Sequence, residues 1–133
     1  MGKTVAASRT EVPNWFHVGV IAPPGYDPPG FEEQVSRTLT KLLGPKSRTH
    51  KIGIKGVWAE PVSIAVAEAS KVSGWDLSGH AVDRESGQCG WFRVWLIIAA
   101  TCDALIAFGP SEPTMDLVLT RGSKYFSALC YLM

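Results

Sequence analysis

The chain has 133 residues, 46% of them hydrophobic, and its 13 basic and 12 acidic side chains leave a formal net charge of +1. That length makes one domain with a substantial core the simplest expectation. The balanced charges include no Lys/Arg run that would track phosphates, which disfavours a nucleic-acid partner.

Residues 1–13, "MGKTVAASRTEVP", lack an apolar signal-type segment and read as a flexible lead-in ahead of a domain over 14–133. "WFHVGVIA" at 15–22 predicts a strand, and "PPGYDPPG" at 23–30 a loop saturated with turn formers. Phe31, Val35, Leu39 and Leu42 then fall on one helical face, with Glu32 and Glu33 in the first turn, until Gly44-Pro45 stops the helix. A second strand is expected over "HKIGIKG" at 50–56. It leads to a helix from Glu60 to Val72, with Pro61 near its start and Gly74 beyond its end.

"WDLSGHAVD" at 75–83 reads as strand then loop, and "GQCGWFRVWLIIAATC" at 87–102 as a mostly buried helix. "DALIAFG" at 103–109 is the clearest buried strand, a helix follows from Pro113 to Tyr125, and "FSALCYLM" closes the chain as a strand. The apolar run over 91–108 approaches membrane-spanning length, but Arg93 and Asp103 interrupt it, and a carboxylate deep in hydrocarbon is expensive. Helix followed by strand is the better reading, with no membrane partner. Cys89, Cys102 and Cys130 form no CxxC pair and sit beside apolar residues, as buried free thiols do, which points to a reducing, cytoplasmic setting.

This alternation predicts an α/β fold: one Rossmann-like, three-layer domain with a mostly parallel sheet of about five strands and about four helices. Parallel sheets gather their sites at the carboxyl ends of the strands, around the switch point in strand order. The loops singled out are 22–30, 56–61, 80–93 and 109–115.

Four stretches, "VGVIAPPGYDPPGFEEQV", "IGIKGVWAEPVSIA", "GWFRVWLI" and "CDALIAFGPSEPTMDLV", resemble the small Rossmann-like domains of the SLOG superfamily, particularly its YspA/YpsA-like group, over residues 14–132. The resemblance implies binding of a nucleotide-derived molecule of the ADP-ribose type, for sensing or sequestering in bacterial or phage conflict. Departures from the family pattern are specific. Gly56 is kept, but Val57, Trp58, Ala59 and Glu60 replace a glycine-rich phosphate cradle. Gly90 and Arg93 match a helix start in which Val94 takes the place of Asn, and Pro113 replaces the Gly of a Gly-Thr pair whose Thr is Thr114.

The candidate ligand residues follow from these loops. Arg93 can fork onto a phosphate or carboxylate, or else pair with Asp103 or Glu112. Phe108, Gly109, Pro110, Ser111 and Thr114 form a strand end, turn and helix start that offer amides and hydroxyls to an anion, or that merely need Ser111 as an N-cap. In the second loop, Gly56 and Val57 lead to Trp58, which can stack on a base, and Glu60, which can accept from a ribose hydroxyl. Pro23, Pro24, Gly25 and Tyr26 would lie over the same site. His80, Asp83 and Arg84 fall in a polar loop beside it, while His17 and His50 read as structural.

No cofactor or metal is expected, since the three histidines are far apart and no ligand pair sits at i, i+4. Catalysis finds no nucleophile motif. A phosphoribohydrolase-like N-glycosidase would need Gly-Gly-x-Gly-Thr-x-x-Glu, and Leu117 stands where that acid would fall. The expected partner is therefore a small nucleotide-type ligand, bound without chemistry. A homo-oligomeric assembly protein, with Trp58, Trp91, Trp95 and Tyr131 as aromatic surface, is the alternative, and a nucleotide N-glycosidase of the phosphoribohydrolase kind is the second alternative.

Overall fold

The computed structural model describes residues 14–110, 112–125 and 129–133. The elements are β1 (Trp15–Ile21), α1 (Phe31–Leu43), β2 (Lys51–Val57), α2 (Pro61–Ser73), β3 (Asp76–His80), α3 (Gln88–Thr101), β4 (Ala104–Ala107), α4 (Pro113–Tyr125) and β5 (Leu129–Leu132). They form one five-stranded sheet in the order β3-β2-β1-β4-β5, and every neighbouring pair is parallel. Val18 of the central strand lies opposite Ile54 on one side and Ala104 on the other.

Each face of the sheet has its own core. On one face, Val18, Val20, Ile52 and Ile54 meet Phe31, Val35 and Leu39 of α1 and Val62 and Val66 of α2. On the other, Ile21, Val57, Leu105 and Ala107 meet Trp91, Trp95 and Ile98 of α3 and Met115 and Val118 of α4. A strand covered on both sides needs no alternation of polar and apolar residues, which is why "ALIA" of β4 is buried throughout. Gly19 sets the spacing of the second layer. A Cβ there would lie 2.4 Å from Ile98 Cγ2, so α3 rests directly on the backbone of β1.

Predicted and observed elements agree in kind and order, with ends that coincide or differ by up to three residues. The lead-in over 1–13 and residues 126–128 of the closing strand lie outside the described residues. Two expectations need correction. Of the three cysteines only Cys102 is buried, because Cys89 occupies an exposed position in the first turn of α3 and Cys130 is half-buried. Trp91 and Trp95 are core residues rather than aromatic surface, since α3 turns them onto the sheet, and Trp58 alone of the described tryptophans proposed for that surface is exposed. No helix among the described residues is long and apolar enough to cross a membrane.

Candidate functional site

The switch point lies between β1 and β4, whose outgoing connections run to opposite sides of the sheet. Here the loop after β1 folds onto the turn after β4. Gly109 has φ 101°, and a Cβ on it would stand 2.9 Å from Pro23 and 3.3 Å from the Tyr26 ring, so only glycine lets the two loops meet. The Tyr26 ring sits edge-on to Phe31 at 5.1 Å, and Phe31 edge-on to Phe108 at 5.7 Å. Tyr26 is thereby a packing residue of this rim, Phe108 is buried in the core, and Pro24 stays exposed.

The start of α4 is already supplied with an anion. Glu112 Oε1 accepts from the Thr114 N–H at 3.1 Å, and Oε2 from the Met115 N–H at 2.9 Å. Its backbone oxygen accepts from Asp116 N–H at 2.9 Å. Pro113 has no N–H to offer, so the side chain of Glu112 serves the first available donors and faces the positive end of the helix. Ser111, expected as the N-cap, lies outside the described residues. Pro110 is exposed.

Glu60 links the loops at the carboxyl ends of β1, β2 and β3. It is 6% exposed, accepts from the Gly25 N–H at 2.8 Å through Oε1, and takes Arg84 Nη2 at 3.1 Å through Oε2. Arg84 also lies over the Trp91 ring at 5.3 Å and donates to the Trp58 carbonyl at 3.4 Å. The carboxylate that the sequence offers to a ribose is therefore engaged in fastening the first and third loops to the second.

Two concave places flank this clasp. On the α2 face, Gly56, Trp58, Ser63, Ile64 and Leu77 line an apolar groove of about 200 Å³. Trp58 is 64% exposed, and the buried Ser63 hydroxyl has no hydrogen-bond partner among the described residues. Val57 points the other way, into the second core. On the α3 face, His80, Asp83, Ser86, Cys89 and Arg93 line a polar cleft of about 380 Å³. The Trp58 N–H donates to the His80 carbonyl at 3.0 Å, so groove and cleft adjoin at the ends of β2 and β3.

The cleft has a defined electrostatic character. Asp83 accepts from the Ser86 hydroxyl at 2.7 Å and the Glu85 N–H at 3.2 Å, and these bonds, with Arg93 nearby, hold its carboxyl below the ordinary range. Burial, followed by the charge of Lys55, lowers the pKa of His80, so this imidazole is neutral at pH 7. Arg93 is exposed in the second turn of α3 and has no hydrogen-bonded or ion-paired acceptor among the described residues. Neither suggested structural partner holds it. Asp103 accepts instead from the His17 N–H at 2.8 Å, and Glu112 caps α4.

The predicted ligand residues thus separate into a closed rim at the switch point, a self-capped helix start, and a groove and cleft at β2 and β3. Arg93 shares its cleft with His80 and Asp83, and the Gly109 turn is not part of that lining. Lys55 escaped the sequence reading because strand alternation, which turns it onto the α3 face, becomes legible only once the register with Ser78 is known. Glu112 carried a readable signal, an acid immediately before a proline at a helix start.

Fold and site together define a Rossmann-like α/β domain with an apolar groove and a polar cleft at the carboxyl edge of β2 and β3. No family model matches the chain, and no curated protein matches it significantly. Among the described residues, no group of three His, Cys, Asp or Glu side chains stands close enough to hold a metal ion.

Proposed function

We propose that this domain binds a phosphate-bearing, nucleotide-derived small molecule of the ADP-ribose kind, as a cytoplasmic sensing or sequestering module that performs no chemistry. The observation that carries the reading is Arg93, a guanidinium in a polar cleft at the carboxyl end of a parallel strand, near Asp83 but with no hydrogen-bonded or ion-paired acceptor among the described residues. A guanidinium forks onto phosphate oxygens with two parallel N–H···O bonds, and Lys55 adds positive charge on the same side of the sheet. Trp58, one main-chain hydrogen bond from His80, offers an indole face for a base. The SLOG resemblance supports the same ligand class, although the geometry favours the β2/β3 edge over the Gly109 turn.

The test is a thermal-shift panel with AMP, NAD and ADP-ribose, repeated on Arg93→Ala. Ligand at about a hundred times its dissociation constant should stabilise the domain by about 2.7 kcal/mol, a rise of several degrees, and the variant should lose that rise while melting normally alone. A folded protein that responds to none of the three compounds would refute the proposal.

A further inference from the structure

We propose that a second copy of this chain docks antiparallel along β3, joining two five-stranded sheets into one across a two-fold axis through Ser78. Among the described residues β3 is an edge strand, paired only with β2. Its Asp76, Leu77 and Ser78 are exposed. The His80 carbonyl points toward β2, where it accepts from Trp58. Main-chain groups alternate along a strand, so those of Asp76 and Ser78 also point inward, and those of Leu77 and Gly79 point outward. Among the described residues nothing bonds to that outer row.

An unpaired edge is a template for another strand, and the sequence DLSGH is complementary to itself when reversed. With Ser78 opposite the partner's Ser78, Leu77 faces the partner's Gly79 and the two exchange both main-chain bonds, and the symmetry repeats this pair. Asp76 then faces the partner's His80 in a narrow, non-hydrogen-bonded pair with Cα atoms about 4.5 Å apart, where the neutral imidazole can donate a charge-assisted hydrogen bond to the carboxylate. Sliding the partner by two residues either way keeps the bonding pattern but loses both Asp–His pairs.

The apolar fit agrees with this register. Leu77 and Gly79 share the face of Ile54 and Gly56, and the Trp58 ring lies on Gly79 so closely that a Cβ there would be 2.6 Å from it. Leu77 is 46% exposed and Trp58 64% exposed. In the pair, each Leu77 comes to rest beside the partner's Gly79 and against the Trp58 covering it. The charge, the apolar contact and the main-chain pattern select the same register. This inference does not depend on the ligand proposal.

Two experiments test it on the full chain. In Ser78→Cys, mild oxidation should give a disulfide-linked species of twice 14.4 kDa, because the axis brings position 78 opposite itself at disulfide distance. Asp76→Cys, and the unsubstituted chain with its exposed Cys89, should not cross-link comparably. In sedimentation equilibrium, Leu77→Lys and Asp76→Lys should each raise the dimer dissociation constant about tenfold or more, and adding His80→Glu to Asp76→Lys should restore pairing. A monomer at the highest soluble concentration would overturn the proposal. A dimer that fails to cross-link at position 78 would overturn it equally, by putting the interface elsewhere.

Discussion

Two carboxylates explain why sites offered by the sequence are occupied from within. Glu60 and Glu112 each take two donors, but they differ in what surrounds them. Glu60 is buried and ties loops together, whereas Glu112 sits half-exposed at one helix end. Glu60→Ala would leave the Gly25 N–H without its acceptor and release Arg84. Because the arginine is 54% exposed, solvent screens much of the ion pair, and the expected loss is about 1–3 kcal/mol, carried mainly by the buried hydrogen bond. Glu112→Ala should cost less, about 1 kcal/mol, as removal of an N-cap does. Urea unfolding midpoints for the two variants check the order. The cysteines obey the same logic of surroundings, since burial pushes the Cys102 thiol up to about 11 and leaves it unreactive, while Cys89 is open to solvent.

At the scale of elements, the alternation of strand and helix was legible because the signals are local. Phe31, Val35 and Leu39 mark a helical face that is buried as expected, and Pro61 and Gly74 bracket α2 as a first-turn proline and a left-handed C-cap. Relations between elements were not legible. "GWFRVWLI" announces a helix, but nothing local says that Trp91 and Trp95 turn inward while Arg93 turns toward β3. The opening loop and the Gly109 turn, read as neighbours from the sequence, do meet, but the side chains that pack them together are distant in sequence. Gly90 shows how narrow such relations are. A Cβ at this position would stand 2.1 Å from the Asp83 carbonyl oxygen, a backbone atom that cannot swing aside. Gly90→Ala should therefore displace the start of α3 and cost about 1–3 kcal/mol despite the better helix propensity of alanine, measurable as a lower melting temperature.

For the molecule as a whole, the binding proposed for the polar cleft would be coupled to protons. His80 is held neutral by burial and Lys55, so its pKa lies below the ordinary imidazole value. An anion seated beside Arg93 favours the charged imidazole and draws that pKa upward. Binding then takes up a proton, and affinity for ADP-ribose should rise as pH falls from about 7 to about 5.5, toward and below the ordinary imidazole value, because His80 of the free protein titrates below it. Titration calorimetry at the two pH values should show tighter binding at the lower one, and His80→Gln should flatten the difference. Equal affinity at both pH values would remove His80 from the ligand's surroundings.

The strand order has a consequence for how the chain is made. β1 is synthesised before the other four strands of this sheet, yet it is central, and its partner on one side is β4, with Val18 opposite Ala104. During synthesis, β1, α1, β2, α2 and β3 can assemble a half-sheet covered on one face. Its other face, and the bare edge of β1, wait for α3 and β4. Until residue 107 has emerged from the ribosome, the most apolar seam of the molecule is an open edge, the period in which a nascent chain of this topology is most exposed to aggregation and most dependent on a chaperone.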